Sequence, residues 1–260
     1  MIAMLTALVA AVGRAALSLA SDAGGIALLG LGVARSVVTL RLDHREGLRH
    51  LRRMGFDSLP IVILTAFFTG GIMVVQSGIF VRRFGAYGLL GYGAGFATLR
   101  EVGPILIGLM FSGRVGANNA AELGTMTVTE QVDGLRALGL SPIDFLVAPR
   151  VVAMVVALFC LTIFGDAVAL GGGILFGKLL MGVEPGSFIA SLTTDVKLAD
   201  LWTGLVKAAA FGVCISLSSC HFGLSVRGGA VGVGRAVNDA VVAAAITIVL
   251  CDNLLTMVMK

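Results

Sequence analysis

Charge is what this sequence lacks most. Only 13% of its 260 residues are Asp, Glu, Lys or Arg, against about a quarter in an average soluble domain. So few charges cannot solvate the surface of a chain this long, which argues against a water-soluble globule with a very apolar core. Lipid must be the solvent for much of the surface. Proline is scarce, at 5 residues. The four cysteines (Cys160, Cys214, Cys220 and Cys251) lie in or beside apolar runs and form no CxxC pair. They imply neither a disulfide framework nor a metal site; a free cysteine often acts as a small buried apolar residue. No aromatic residues interleave the basic ones, so the positive charge does not point to nucleic acid. No basic segment precedes the apolar stretch 1–12 and no A-x-A site follows it, so a cleaved signal peptide is not expected.

What is present is apolar surface: 57% hydrophobic residues, a mean hydropathy of +1.00, and 36 glycines, a frequency that suits close helix packing in a bilayer. The expected fold is an all-α integral membrane protein. A membrane-interface helical segment over 1–57 precedes a transmembrane domain over 58–260, with about five spans. These run over 58–81, 87–120, 147–180, 198–222 and 240–259, against a hydrocarbon core of ~30 Å. The second and third are long, so tilt or a kink at Pro104 is expected. The apolar stretches 1–12 and 23–38 are short for a span. Over 37–54, Val37, Leu40, Leu48 and Leu51 share one side of a helix and Arg41, Arg45, Arg49 and Arg52 another. That suits a helix lying in the interface; a short solvated helix before the first span is the alternative.

Placing the N-terminus in the cytoplasm puts eleven Lys and Arg on inner segments against five on outer ones, so the positive-inside rule favours that orientation. The C-terminus is then outside, and 122–150 is an inner segment. Within it, Thr127 and Glu130 have capping-box spacing. Val132, Leu135 and Leu138 form an apolar stripe, Gly139 suits a helix C′ position, and Pro142 stops the helix. Glu130, Gln131, Asp133 and Arg136 are left to face a partner, although an ordinary connecting helix would read the same way. Charges inside spans are costly and usually face an interior or an aqueous cavity, which makes Arg100, Glu101 and Lys207 functional candidates. Arg114 and Glu122 read as structural or coupling groups. Asp166 has no second titratable group to pair with, and Asp252 has no evident role.

The stretch 101–142 resembles the signature of the MlaE/YrbE permease family. It carries Arg100-Glu101, Gly103-Pro104, Gly113-Arg114, Ala121-Glu122, Gly124, Met126 and Glu130-Gln131. Leu59-Pro60, Arg82-Phe84-Gly85 and Ala148-Pro149-Arg150 extend the likeness from about residue 55 to the C-terminus. Gly134 stands where the family often has Ala, and the inner loop 227–238 is richer in Gly and Val than in many relatives. The resemblance implies the non-catalytic membrane subunit of an ATP-driven lipid transporter in the bacterial inner membrane, with phospholipid the leading substrate and outer-membrane lipid asymmetry its setting. It implies a homodimer, a cytoplasmic ABC ATPase dimer that binds the ATP and Mg, an MCE-domain lipid carrier on the periplasmic side, and a small STAS-type regulatory subunit. It also implies lipid contact at Arg100, Glu101 and Lys207, and ATPase coupling through Glu130, Gln131, Asp133, Leu135, Arg136 and Leu138. Met73, Val74, Ile79, Tyr87 and Tyr92 are candidates for the acyl-chain cavity, with plain packing the alternative; for the charged triad the alternative is a structural ion pair.

Other classes remain. A gradient-driven secondary transporter would use Glu101 or Asp166 as relay, but no internal repeat is visible. A scaffold for a lipid carrier would not need charges in its spans. An embedded enzyme would need a nucleophile–base pair or a metal cluster. The run 172–179 has GxxxxGK spacing, but Leu179 replaces the Ser or Thr that would hold Mg and the run is apolar. His221 has no partner at zinc spacing. Gly91 to Gly95 and Ala208 to Gly212 have the small-xxx-small spacing of close helix contacts.

Overall fold

The computed structural model describes residues 2–39, 44–85 and 87–259. They form eleven α-helices and no strand. In chain order these are α1 (Ile2–Val38), α2 (His44–Phe56), α3 (Leu59–Phe84), α4 (Leu90–Ala97), α5 (Gly103–Phe111), α6 (Ala117–Val128), α7 (Gln131–Ala137), α8 (Ala148–Met181), α9 (Pro185–Asp195), α10 (Leu198–Leu224) and α11 (Gly229–Val258). Helices α4, α5 and α6 make one long rod, joined by π-helical turns at Thr98–Val102 and Ser112–Gly116.

Among the described residues, six stretches are long and apolar enough to cross a membrane: Ala16–Val38, Leu59–Val81, Leu90–Val128, Ile143–Met181, Leu198–Leu224 and Gly229–Val258. Five match the expected spans. The sixth corrects the reading of 1–38 as two short stretches, because Arg14, Ser21 and Asp22 are absorbed into one continuous helix. That helix is barely packed: few residues of its apolar part are buried. Its contacts gather at one end of the bundle, where Gly25 meets His221, Gly30 meets Leu217 and Gly32 meets Ile143.

The remaining spans form a tight bundle. Helices α3 and α8 run side by side in the same direction. They touch so closely that a side chain at Gly70 would strike the Ala169 carbonyl, and one at Gly172 the Phe67 carbonyl. Close backbone approach of this kind is how helices gain packing energy in lipid, where burial of apolar surface drives little. Phe111, Met154, Leu158, Phe211, Ile215 and Ile248 fill the centre. The two small-residue pairs serve this same chain. Gly91 and Gly95 receive Phe188 and Leu192 of α9, and Gly212 receives Val155 of α8.

Three local expectations are corrected. The helix expected over 37–54 is described as α2, His44–Phe56, and Leu40 and Arg41 lie outside the described residues. It turns Gly47, His50, Leu51 and Met54 inward while Leu48 stays exposed beside Arg49, Arg52 and Phe56. Gly47 lies against the Pro149 carbonyl, so docking on α8 sets the rotation that the apolar stripe alone did not. The 127–130 capping box does not form: Thr127 Oγ1 donates to the carbonyls of Leu123 and Gly223, and Glu130 sits in the left-handed region at φ 59°. The inner loop 227–238 is helical from Gly229 onward, because Val233 packs against Gly124 and tertiary contact outweighs weak glycine propensity.

Candidate functional site

Apart from Asp166, the buried charged residues of the spans collect into two clusters at opposite ends of the bundle. The first lies about two turns from the end where α11 finishes. A π-turn inserts an extra residue into a helix and is frequent at functional sites; here it aims two consecutive charged residues, Arg100 and Glu101, at α10 and α11. Arg100 donates to Asp200 Oδ1 at 3.1 Å and to the Met259 carbonyl at 2.9 Å. Its guanidinium lies 5.4 Å from the centre of the Phe96 ring, in cation–π range. Glu101 pairs with Lys207. Lys207 is fully buried and also meets Asp252 Oδ1 at 3.0 Å and donates to Thr256 Oγ1 at 2.7 Å. The ammonium thus donates to Glu101 and Thr256 and has the Asp252 carboxylate beside it as a second counter-charge, compensation that a buried cation requires. The cluster holds two cations and three carboxylates and ties three spans together.

Sequence reasoning found Arg100, Glu101 and Lys207 and the structure brings them together. It missed the roles of Asp200, Asp252 and Thr256. The readable signal was that Lys207 and Asp252 are intramembrane charges of opposite sign, each needing a partner. Of the proposed cavity residues, Val74 is wholly buried against Gly173 and Gly177 of α8 and is core. Met73 packs on that same cluster, and Ile79 is exposed. Tyr92 stacks on Phe96 with ring centres 5.7 Å apart. Together with Ser77, Phe80, Phe84 and Leu89 it lines an apolar groove of about 390 Å³. The side chain of Tyr87 lies outside the described residues. Tyr92, Phe96 and Arg100 therefore form a path from groove to cluster along one side of the rod.

The second cluster sits at the α7 end. Pro149 occupies the first turn of α8, where its missing N–H costs nothing, and Arg150 follows it. Arg150 is 3% exposed and donates to Asn119 Oδ1 at 3.0 Å and Glu122 Oε1 at 3.2 Å. Asn119 donates onward to Ser219 Oγ at 2.9 Å, and Glu122 lies 3.8 Å from Arg53 of α2. Beside Glu122, His50, Arg53 and Arg114 line a pocket of about 290 Å³. Burial first, and then the Arg150 guanidinium, hold the His50 imidazole below its usual range. Arg150 and Asn119 are groups whose structural role the sequence did not reveal. His221, which has no zinc partner in the sequence, meets Asp22 of α1 at 3.3 Å.

Helix α7 projects from this end. Val132 is buried and Leu135 half-buried against the bundle, whereas Leu138 is 77% exposed. Gly139 takes the left-handed C′ position at φ 74°, and the Leu140 N–H closes on the Leu135 carbonyl. Glu130, Gln131, Asp133 and Arg136 are all exposed, with Asp133 and Arg136 paired at 2.7 Å.

A helical bundle with six membrane-length apolar helices, charges neutralised between its spans and a short helix projecting from one end defines a multi-pass membrane protein of the transporter type. The chain belongs to the MlaE permease family: the family described as Permease MlaE matches residues 48–258. It is 38% identical over 245 residues to a probable ABC transporter permease protein of Rickettsia conorii, covering 94% of this chain and 95% of that one. It is 36% identical over 219 residues to the chloroplastic protein TRIGALACTOSYLDIACYLGLYCEROL 1 of Arabidopsis thaliana, covering 83% and 62%. It is 31% identical over 212 residues to the intermembrane phospholipid transport system permease protein MlaE of Haemophilus influenzae, covering 81% of each.

Proposed function

We propose that this chain is the membrane subunit of an ATP-driven lipid transporter, moving phospholipid between the bacterial inner membrane and a periplasmic MCE-domain carrier. The observation that carries the reading is the Arg100 cluster joined to the Tyr92–Phe96 groove. A guanidinium has five N–H donors, and Arg100 commits two to Asp200 and Met259. The others serve a headgroup phosphate while acyl chains follow the groove. Lys207 and Glu101 sit behind Arg100, and their pairing sets the local charge. The chain binds no nucleotide. Two copies assemble with two cytoplasmic ATPase subunits, which bind ATP and Mg, and a small STAS-type subunit regulates them. The exposed Glu130, Gln131, Asp133 and Arg136 of the α7 region meet the ATPase.

The α7 end faces the cytoplasm. It carries Arg45, Arg49, Arg52, Arg53, Arg136, Arg150, Arg227 and Arg235, whereas Arg83, Lys178 and Lys197 lie towards the other end, as the positive-inside rule requires. The C-terminus is periplasmic. Helix α1 lies along the inner face with the N-terminus cytoplasmic, supported by its contacts at Gly25, Gly30 and Gly32, which lie at the α7 end.

Affinity purification from native membranes, with every copurifying chain and lipid identified by mass spectrometry, tests this reading. An equimolar ATPase and bound phospholipid are expected. Absence of an ATPase after gentle crosslinking sinks the reading in favour of a gradient-driven transporter or a scaffold. Arg100→Gln should copurify less phospholipid than wild type, and Glu130→Lys should leave ATP hydrolysis unresponsive to lipid. Unchanged lipid in the first overturns the headgroup contact, and unchanged lipid-stimulated hydrolysis in the second overturns the coupling role.

A further inference from the structure

Asp166 is the acid that the two clusters leave out. It lies at mid-length of α8, is 2% exposed, and neither of its carboxyl oxygens has a hydrogen-bond partner. Each acid of the clusters has a cation: Lys207 for Glu101 and Asp252, Arg100 for Asp200, Arg150 for Glu122. Among the described residues no basic group pairs with Asp166. A bare carboxylate withdrawn from water is too unfavourable to persist without a positive charge beside it.

The surroundings supply oxygen and no donor. Asp166 borders a cavity of about 10 Å³ between α3, α5 and α8, which no other charged residue lines. That is room for one water-sized particle. Thr65 and Thr69 of α3 also line it, and both hydroxyls already donate back along their own helix, to the Ile61 and Thr65 carbonyls at 2.6 and 2.8 Å. What they offer the cavity is lone pairs. Gly103 completes the wall. A side chain there would strike both Asp166 Oδ1 and the Thr98 carbonyl oxygen, so these two oxygens converge where only glycine leaves room. Oxygen ligands without nitrogen or sulfur suit hard cations. A single carboxylate and so small a space disfavour Mg, which keeps several waters, and Ca, which takes six to eight ligands.

We propose that the Asp166 pocket between α3, α5 and α8 is a binding site for one monovalent cation, sodium or a proton, held by the carboxylate with oxygens from Thr65, Thr69 and Thr98. The site does not rest on the substrate reading above. Its occupant joins α8 and α3 to the π-turn that carries Arg100 and Glu101. Cation loading therefore sets how firmly that turn is held.

The test uses the full chain, purified with its partners and isotope-labelled at aspartate carboxyls. Infrared difference spectra between wild type and Asp166→Asn are recorded in sodium buffer and in choline buffer, beside equilibrium binding of radioactive sodium. A protonated-carboxyl C=O band that is lost in the variant and indifferent to sodium identifies the proton. Carboxylate bands that move with sodium, together with one sodium bound per wild-type chain and none per variant, identify sodium. Carboxylate bands indifferent to sodium, with no sodium bound, overturn the proposal. If Asp166→Asn does not fold, Thr69→Val serves in the same assays. Loss of one oxygen ligand should weaken sodium binding about tenfold, or shift the C=O band if the occupant is a proton. No change in either quantity overturns the proposal.

Discussion

The two charged clusters solve the same problem differently. At the Lys207 end, an ammonium with no exposure is enclosed by acceptors from α5's π-turn and α11. At the α7 end, Arg150 is nearly as buried, and Glu122 is about as exposed as Glu101, but Lys207 has a second, largely buried carboxylate in Asp252 whereas Glu122 reaches out to the exposed Arg53. The Lys207–Asp252 pair is sealed among the spans, whereas the carboxylate of Arg150 opens through a pocket toward the polar end. The comparison teaches that burial of the cation alone does not measure what a pair contributes; the exposure of its partners does. A sealed pair loses everything when one member goes, because no water replaces it. An open pair is partly rescued by solvent.

Substitutions that remove one partner sharpen that comparison. Lys207→Ala should have the largest effect. It leaves Asp252 without a cation and Glu101 with only Arg100 at 3.9 Å and should destabilise the chain by about 3–5 kcal/mol, read as a drop in Tm in detergent; a drop no larger than that of an exposed charge would break the sealed-pair account. Arg150→Ala comes next, at about 2–3 kcal/mol, since Asn119 keeps Ser219 as a partner and Glu122 keeps Arg53 and water. His50 gives a pH signature smaller than either. Its folded imidazole is held below the unfolded value of 6.5, so the unfolded chain takes up a proton first as pH falls. Stability contributed by neutral His50 is then complete above that value and is lost below it. His50→Asn should flatten the Tm-against-pH curve on the acid side of neutrality, and an unchanged slope would break the assignment. Asp133→Ala removes an exposed i,i+3 pair on α7 and should cost no more than about 0.5 kcal/mol; a Tm shift comparable with that of Arg150→Ala would mean that α7 is part of the fold and not a free docking element.

How much of this was legible in advance differs between the two levels. The spans were legible because hydropathy is summed over some twenty neighbouring residues, and α3, α8 and α10 begin within a few residues of where composition places them. Arg100, Glu101 and Lys207 were legible as functional candidates because charge in lipid is costly wherever it falls. Their partners were not, since Asp200, Asp252 and Thr256 are brought to them by the crossing of three helices. The rotation of α2 was missed because Leu48 and Leu51 look equivalent in sequence and only docking on α8 separates them. The helical start of α11 was missed because Gly229 to Gly234 reads as a loop until Val233 meets Gly124.

The sequence by itself determined that this chain is a helical membrane protein, five of its six membrane-length stretches, the end that carries the arginines and the family signature over 101–142, because each is a property of contiguous residues. Only the tertiary structure decided which charges neutralise one another, that Lys207 is enclosed while Arg100 keeps free donors, and that Asp166 has no partner. These depend on distances between helices far apart in the chain. A carboxylate in a span reads the same in sequence whether an ammonium or a cavity without a basic side chain lies across the seam.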